Sequence, residues 1–341
     1  MYRLFRPLLF RFDPEIAHEF SLSIMRLVGA SPGLRHLLTW LYQSPQKPVN
    51  MFGLTFPNPI GMAAGYDKDG LAWRGLSCIG FGHVEVGTVT PRAQPGNPSP
   101  RLFRLPEDRA LINRLGFPGK GADYVKKKLM GSRPNNFVLG VNLGINKETL
   151  VEDAAEDYRL LICIFASVAD YLVINVSSPN TVGLRRLQAK HTLDDLLLVL
   201  NHERVNQQTG LNRSVPLLVK LSPDLTDVEL DDALDVILSR EIDGVIATNT
   251  TVTRPIIISQ DALESGGLSG APLRSLSTEM VRKIHHRTQG RLPIIGVGGV
   301  MSVDDVREKL DAGAALIQIY TGLIYEGPGL GKRVMRGLSR F

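Results

Sequence analysis

The sequence predicts an α/β chain folded as a closed (β/α)8 TIM barrel with an N-terminal helical extension. Three observations predict it. From residue 58 onward, short apolar runs rich in β-branched residues alternate with amphipathic stretches, the pattern of βα units around a parallel sheet. Eight such runs can be counted. Chemically loaded residues end nearly every run, whereas an open doubly wound sheet would gather them at one switch point.

The first 48 residues stand apart from that pattern. DPEIAHEFSLSIMRLV places Asp13 as N-cap and Pro14 at the first helical position, with Ile16, Phe20, Ile24 and Leu27 on one face. After SPG comes a second apolar and aromatic cluster, Leu37, Leu38, Trp40, Leu41 and Tyr42. Six basic residues (Arg3, Arg6, Arg11, Arg26, Arg35, Lys47) face Asp13, Glu15 and Glu19, leaving +3 of the chain's +5 in this segment. Two readings stay open for the helical pair. It plugs one end of the barrel, or it lies on a membrane surface, where basic charge beside an apolar aromatic face is usual.

Strands are expected at PIGMAAG (59–65), HVEVGTV (83–89), FVLGVNLG (137–144), YLVINVS (171–177), PLLVKLS (216–222), DGVIATN (243–249), PIIGVGG (293–299) and ALIQIYT (315–321). Thr226 with Glu229 reads as a capping box heading the helix after the fifth strand, and Ser302 with Asp305 repeats the device after the seventh. Two long loops interrupt the alternation. Residues 90–118, rich in proline, exceed the usual βα loop length and are either functional or an inserted subdomain, and residues 250–273 run through SGGLSG.

Over 341 residues, 43% hydrophobic and 21% charged content are ordinary globular values, so the chain packs a core. A net charge of +5 with a pI near 9.2 permits an anionic partner but equally describes a solubilising surface, and no nucleic acid is expected. Cys78 and Cys163 fit no metal or redox spacing, so a reducing compartment and structural roles are expected. No apolar run reaches the roughly 18–20 residues of a spanning helix, and no signal-peptide order opens the chain.

The C-terminal ends of barrel strands form the active face, so the residues there are read together. They are Ala63, Ala64, Gly65, Asp67 and Lys68 after the first strand, Thr88 after the second and Asn142 on the third. Asn175, Ser178 and Asn180 follow the fourth, Lys220 lies on the fifth, and Thr248, Asn249 and Thr250 follow the sixth. Gly298 and Gly299 close the seventh, Tyr320 and Thr321 the eighth. Neutral amides and hydroxyls dominate, which suits a ligand dense in carbonyl and ring N–H groups.

Lys220, inside the apolar run LLVKL, would be expensive to bury unpaired. Either it forms a structural ion pair, or it meets a ligand that becomes anionic, as a flavin does on two-electron reduction. GVGG (296–299) and YTG (320–322), each before a helix start, match the phosphate site barrels build after strands seven and eight, although such turns also occur without ligands. Together these features point to a phosphorylated cofactor such as FMN. No GxGxxG opens the chain, and none of the seven histidines ends a strand, which argues against a Rossmann dinucleotide site and against histidine-based or HExxH chemistry.

At this point the residues resemble a known family, the dihydroorotate dehydrogenases, in their second, quinone-dependent class. AAGYDKDG (63–70), EVGTVTPRAQPGNPSPRLFRL (85–105), INRLGF (112–117), INVSSPNT (174–181), ATNTT (247–251), GGLSG (266–270) and PIIGVGG (293–299) are similar to its signatures, in order. The resemblance implies oxidation of (S)-dihydroorotate to orotate in pyrimidine (UMP) biosynthesis, with one non-covalent FMN per chain and ubiquinone or menaquinone as acceptor. Ser178 matches the base that takes the C(5) proton while hydride leaves C(6) for the flavin; Thr181 is a candidate for passing that proton on.

By the same resemblance Asn113, Asn175, Asn180, Asn249 and Thr250 would bond the pyrimidine ring. Lys68 and the backbone of Asn113, Arg114, Leu115, Gly116 and Phe117 would lie near its carboxylate. Ala63, Ala64, Gly65, Tyr66, Asp67, Thr88, Asn142, Asn175, Lys220, Thr248, Gly270, Gly299, Tyr320 and Thr321 would hold FMN, with Lys220 at the N(1)/O(2) edge steadying the anionic reduced form. Residues 1–48 would be the membrane-associating, quinone-access segment and 49–341 the catalytic barrel. The lack of a preceding transit peptide implies a bacterial enzyme on the cytoplasmic face of the inner membrane. Val182, where the pattern has proline, and Tyr66, where it has an aliphatic residue or phenylalanine, depart from the family. Two other readings are a non-redox phosphate-binding barrel and a class-one enzyme reducing fumarate or NAD.

Overall fold

The structure, a computed structural model, describes residues 2–134, 136–255 and 257–339. Eight parallel strands close a barrel in chain order: Ile60–Met62, His83–Val89, Val138–Leu143, Tyr171–Asn175, Leu217–Leu221, Gly244–Ala247, Ile294–Val297 and Leu316–Ile319. The ring shuts where Ile317 pairs with Ile60. All eight expected strands are present, His83–Val89 over its full expected span and the other seven shortened, chiefly where terminal polar and glycine residues turn out of the ladder.

Alternation along each strand divides the apolar residues between two cores. Outward side chains such as Val84, Leu139, Leu172 and Val219 pack under the surrounding helices, while inward ones such as Val173, Leu218, Ile246 and Ile295 fill the barrel. Each barrel helix lays its apolar stripe on the outer core. The helix Asp227–Ser239 carries the expected capping box, with Glu229 N–H donating to Thr226 Oγ1 and Thr226 N–H to the Glu229 carboxylate. Ser302 caps Val303–Asp311 through the Asp305 N–H, and Asp13 caps Pro14–Ala30 through the N–H groups of Glu15 and Ile16.

The N-terminal end of the barrel is plugged by a hairpin, Val49–Met51 with Leu54–Phe56, and not by the helices before it. Phe56 is fully buried there, 5.3 Å edge to face from the His83 ring and near Tyr171. Among the described residues His83 has no hydrogen bond to either ring nitrogen, and burial drives its pKa down to about 3, so it is a neutral packing group. Gly61 and Gly140 make room for these rings, since a Cβ on them would sit 2.1 Å from His83 and 2.2 Å from Tyr171.

The helical pair expected at the N-terminus is three helices, Tyr2–Leu9, Pro14–Ala30 and Pro32–Tyr42. The second packs on the short helix Trp73–Leu76 after the first strand, so closely that a Cβ on Gly75 would lie 2.1 Å from the Met25 carbonyl. The two long loops meet. Leu102–Leu105, Ala110–Asn113 and Gly267–Gly270 form a three-stranded antiparallel sheet beside the barrel mouth, so the proline-rich segment is an inserted subdomain completed by the SGGLSG loop.

Candidate active site

Strand ends and connecting loops deliver one cavity at the C-terminal rim, lined by residues from all around the barrel. The first connection supplies Ala63, Ala64, Gly65 and Lys68; the strand ends supply Thr88, Asn175, Lys220 and Thr248. Ser178 and Asn180 enter from the fourth loop, Asn249 and Thr250 from the sixth, and Gly299, Tyr320 and Thr321 close the far side. The subdomain contributes Asn113, Leu115, Gly116 and Phe117 from one arm and Gly270 from the other.

The floor is a chain of amides and hydroxyls. Thr88 Oγ1 donates to Asn142 Oδ1 at 2.6 Å, and Asn175 Nδ2 donates to both Thr88 Oγ1 (2.9 Å) and Asn142 Oδ1 (3.1 Å). Asn249 Nδ2 in turn donates to Ser177 Oγ at 3.0 Å and to Asn175 Oδ1 at 3.3 Å. Strand register sets Asn175 beside Lys220. Burial pulls the Lys220 ammonium below its usual pKa, against the opposing charge of Glu85. Lys220 makes no hydrogen bond to another protein group among the described residues.

Above this floor, Ser178 Oγ is buried and accepts the Asn180 N–H at 3.3 Å. No hydrogen bond among the described residues joins Ser178 to Thr181. Asn180 Nδ2 donates to Asn113 Oδ1 at 3.0 Å, which ties the fourth loop to the subdomain. Lys68 Nζ donates to the Gly65 carbonyl at 2.7 Å, and enclosure draws its pKa down to about 8. Val182 is 95% exposed, so the residue that departs from the family pattern contributes no group to the cavity.

Four expected site residues are not on the wall. Asn142 lies beneath it, holding Thr88 and Asn175. Asp67 is buried with its carboxylate taken by the N–H groups of Leu71 (2.8 Å) and Ala72 (2.7 Å), and burial pushes its pKa up to about 6. Arg114 turns outward to Glu264 at 2.5 Å, with its guanidinium 4.6 Å from the Phe103 ring centre. Tyr66 faces a different cavity. In the opposite direction, Ser269, Leu273, Val300 and Gln318 line the site without having been singled out, while Val297 and Gly322 reach it from within the GVGG and YTG turns. Gln318, a polar residue inside the apolar run LIQIY, carries the same signal as Lys220; Ser269 and Leu273 have none, because a pairing across more than 150 residues brings them in.

The second cavity, about 330 Å³, lies between the N-terminal helices and the barrel and is walled by Phe10, Phe20, Ile24, Leu102, Leu323 and their neighbours. His18, Arg104 and Tyr66 are among its few polar groups. Burial holds the His18 imidazole neutral, its pKa lowered to about 3, with Lys68 adding to the effect. Tyr320 lines both cavities, so its side chain stands between the polar one and the apolar one.

Comparison with known proteins agrees over nearly the whole chain. The family model described as dihydroorotate dehydrogenase matches residues 47–341. A dihydroorotate dehydrogenase (quinone) of Halorhodospira halophila is 47% identical over all of this chain and 98% of that relative. One from Edwardsiella ictaluri is also 47% identical, over 98% of each. Among solved structures, the DHODH of Eimeria tenella in complex with ferulenol superposes with a TM-score of 0.81 at 39% identity, covering 91% of both chains.

Proposed function

The chain belongs to the dihydroorotate dehydrogenase family, and on that premise we propose that it oxidises dihydroorotate to orotate in pyrimidine biosynthesis and delivers the electrons through FMN to a membrane quinone. The observation that carries this reading is the pairing of two cavities across Tyr320, one floored with amides and one apolar. A quinone-linked oxidation needs both.

The residues fit a flavin. Among the described residues Gln318 Oε1 is buried without a partner and Lys220 offers an unshared ammonium, a bare acceptor and a bare donor at the same cavity, as a ligand that offers both carbonyl and N–H groups requires. At the other end Gly298 and Gly299 take positive φ values of 120° and 73°, leaving their turn free of side chains where a phosphate would meet backbone N–H groups. Lys220, Thr88, Thr248, Gly270, Gly299 and Thr321 would hold FMN, which would supply the acceptor for the hydride from C(6) of the substrate.

Asn113, Asn175, Asn180, Asn249 and Thr250 orient the pyrimidine, and Lys68 draws its carboxylate to the rim. Ser178 takes the C(5) proton; the Asn180 N–H donated to its oxygen favours the charge that builds there. Residues 1–48 act as the quinone-access segment of a catalytic barrel formed by 49–341. No described helix is long and apolar enough to cross a membrane. Leu4, Phe5, Phe20, Leu27 and Trp40 are all more than half exposed, which supports peripheral attachment at the cytoplasmic face of a bacterial inner membrane.

The test is to reduce the purified yellow protein with dihydroorotate under anaerobic conditions and add ubiquinone, menaquinone, fumarate or NAD analogues in turn. Rapid reoxidation by a quinone alone is expected. Reoxidation by fumarate or NAD alone would move the chain to the soluble class, and a colourless protein that takes up no FMN would end the flavin reading.

A further inference from the structure

Glu85 lies midway along the second barrel strand, inside the barrel and fully buried, with no role in the reading above. Both its oxygens are filled by donors. Asn142 Nδ2 donates to Oε1 at 2.8 Å, while Gln318 Nε2 (2.7 Å) and the Tyr171 hydroxyl (3.3 Å) donate to Oε2. All three neighbours are placed as donors to it, an arrangement that an ionised carboxylate, which only accepts, satisfies in full.

That one-sidedness has a consequence for groups that could point either way. A primary amide reverses donor and acceptor by a half-turn, and nothing local to Asn142 chooses between the two. Glu85 chooses: with Nδ2 drawn to the carboxylate, Asn142 Oδ1 must face the rim. Thr88 and Asn175 then have to donate to it, so Asn175 Oδ1 is turned to accept from Asn249 Nδ2 and from Ser177. On the opposite side the carboxylate captures Gln318 Nε2 and leaves Gln318 Oε1 as the bare buried acceptor.

We propose that Glu85 is the positioning residue of this site: its carboxylate sets the direction of the Asn142 and Gln318 amides and, through Asn142, that of Thr88 and Asn175 on the cavity floor. It touches neither substrate nor cofactor. The inference rests on the flavin reading and deepens it, because the floor so directed is the surface presented to the pyrimidine edge of the flavin. Buried networks of this kind fail when one member is reversed, since two donors or two acceptors are then left facing each other.

The experiment compares Glu85→Gln with the double exchange Glu85→Gln, Asn142→Asp. A glutamine amide in place of the carboxylate cannot accept from three donors at once, so Asn142 is driven to turn over and the floor reverses. In the double variant the introduced amide donates to the introduced carboxylate, whose other oxygen still accepts from Thr88 and Asn175. FMN binding to apoprotein is read by fluorescence, and the midpoint potential of bound FMN by dye equilibration. For E85Q, FMN affinity is expected to fall about tenfold or more and the potential to rise. A tenfold change in the two-electron equilibrium corresponds to about 30 mV.

The double variant is expected to recover most of the lost affinity and to move the potential back. Asn142→Asp alone sets two carboxylates against each other and is expected to lose FMN. Wild-type potential and affinity in E85Q would overturn the proposal, as would a double variant no better than the single one. Should E85Q fail to fold, a folded, FMN-binding double variant supports the proposal and an unfolded one overturns it. Wild-type protein that binds no FMN would remove the flavin reading itself, a result separable from either.

Discussion

Tyr66 and Tyr320 meet edge to face with ring centroids 6.2 Å apart, and this contact forms the boundary between the two cavities. The Tyr66 hydroxyl lies 2.9 Å from Ser21 Oγ, and Ser21 gives its own proton to the His18 carbonyl at 2.7 Å. Tyr66 therefore donates, and it ties the second N-terminal helix to the first barrel loop. Replacing Tyr66 by Phe leaves Ser21 with a partner, so the expected loss is about 1 kcal/mol, seen as a slightly lower midpoint of thermal unfolding. Flavin reduction by dihydroorotate is expected to stay unchanged while the KM for quinone shifts; a change in the first half-reaction would show that the boundary is not where the rings place it.

Among the described residues Ser178 has a single hydrogen bond, to a backbone N–H, so its removal disturbs little else. For Ser178→Ala, anaerobic stopped-flow is expected to show flavin reduction slowed by roughly 10²–10⁴, with FMN still bound. Reduction at the wild-type rate would take the proton-abstracting role away from this residue.

Lys68 is held at about pH 8 because enclosure disfavours its charge. Below that pH the ammonium is present to meet a substrate carboxylate; above it the amine is neutral. The KM for dihydroorotate is expected to rise as pH passes upward through about 8, and Lys68→Met to show a higher, flatter profile. The sign for stability is the reverse. An unfolded lysine stays protonated up to its ordinary value near 10.5, so between the two values the unfolded state binds more protons and this residue's contribution to stability rises with pH.

Ile16 and Leu27 are 61% and 63% exposed on the outer face of the second helix, so glutamate there leaves the core untouched. Each side chain would gain about 1.5–3 kcal/mol if fully buried in lipid. Ile16→Glu with Leu27→Glu is expected to weaken co-sedimentation with anionic vesicles by at least about tenfold. Leu263→Glu, at a 95% exposed position in the loop after the sixth strand, is the control expected to have no effect. Equal loss in both would mean the N-terminal face is not the one that meets the bilayer.

Much of the architecture was legible because it is written locally. Eight β-branched runs, the caps at Asp13, Thr226 and Ser302, and the stranded Lys220 each declare themselves within a few residues. Glu85 and Gln318 carried the same signal as Lys220, a polar group in a run that must be buried, and could have been read by the same rule. Asp67 and Arg114 show what a motif leaves open, since it gives a residue's neighbourhood but not the direction of its side chain. Asp67 turns to the backbone N–H groups of Leu71 and Ala72, and Arg114 to Glu264, 150 residues away.

Sequence alone determined that a parallel barrel forms and which strand ends carry polar groups, because hydrophobic period and helix capping act over one or two turns of chain. Tertiary structure alone decided that a hairpin plugs the barrel, that the apolar face of the second helix looks outward, and that two distant loops pair into the sheet walling the cavity. Those outcomes depend on contacts between segments far apart in the chain, where packing and the matching of donors to acceptors choose among arrangements that local pattern leaves equal.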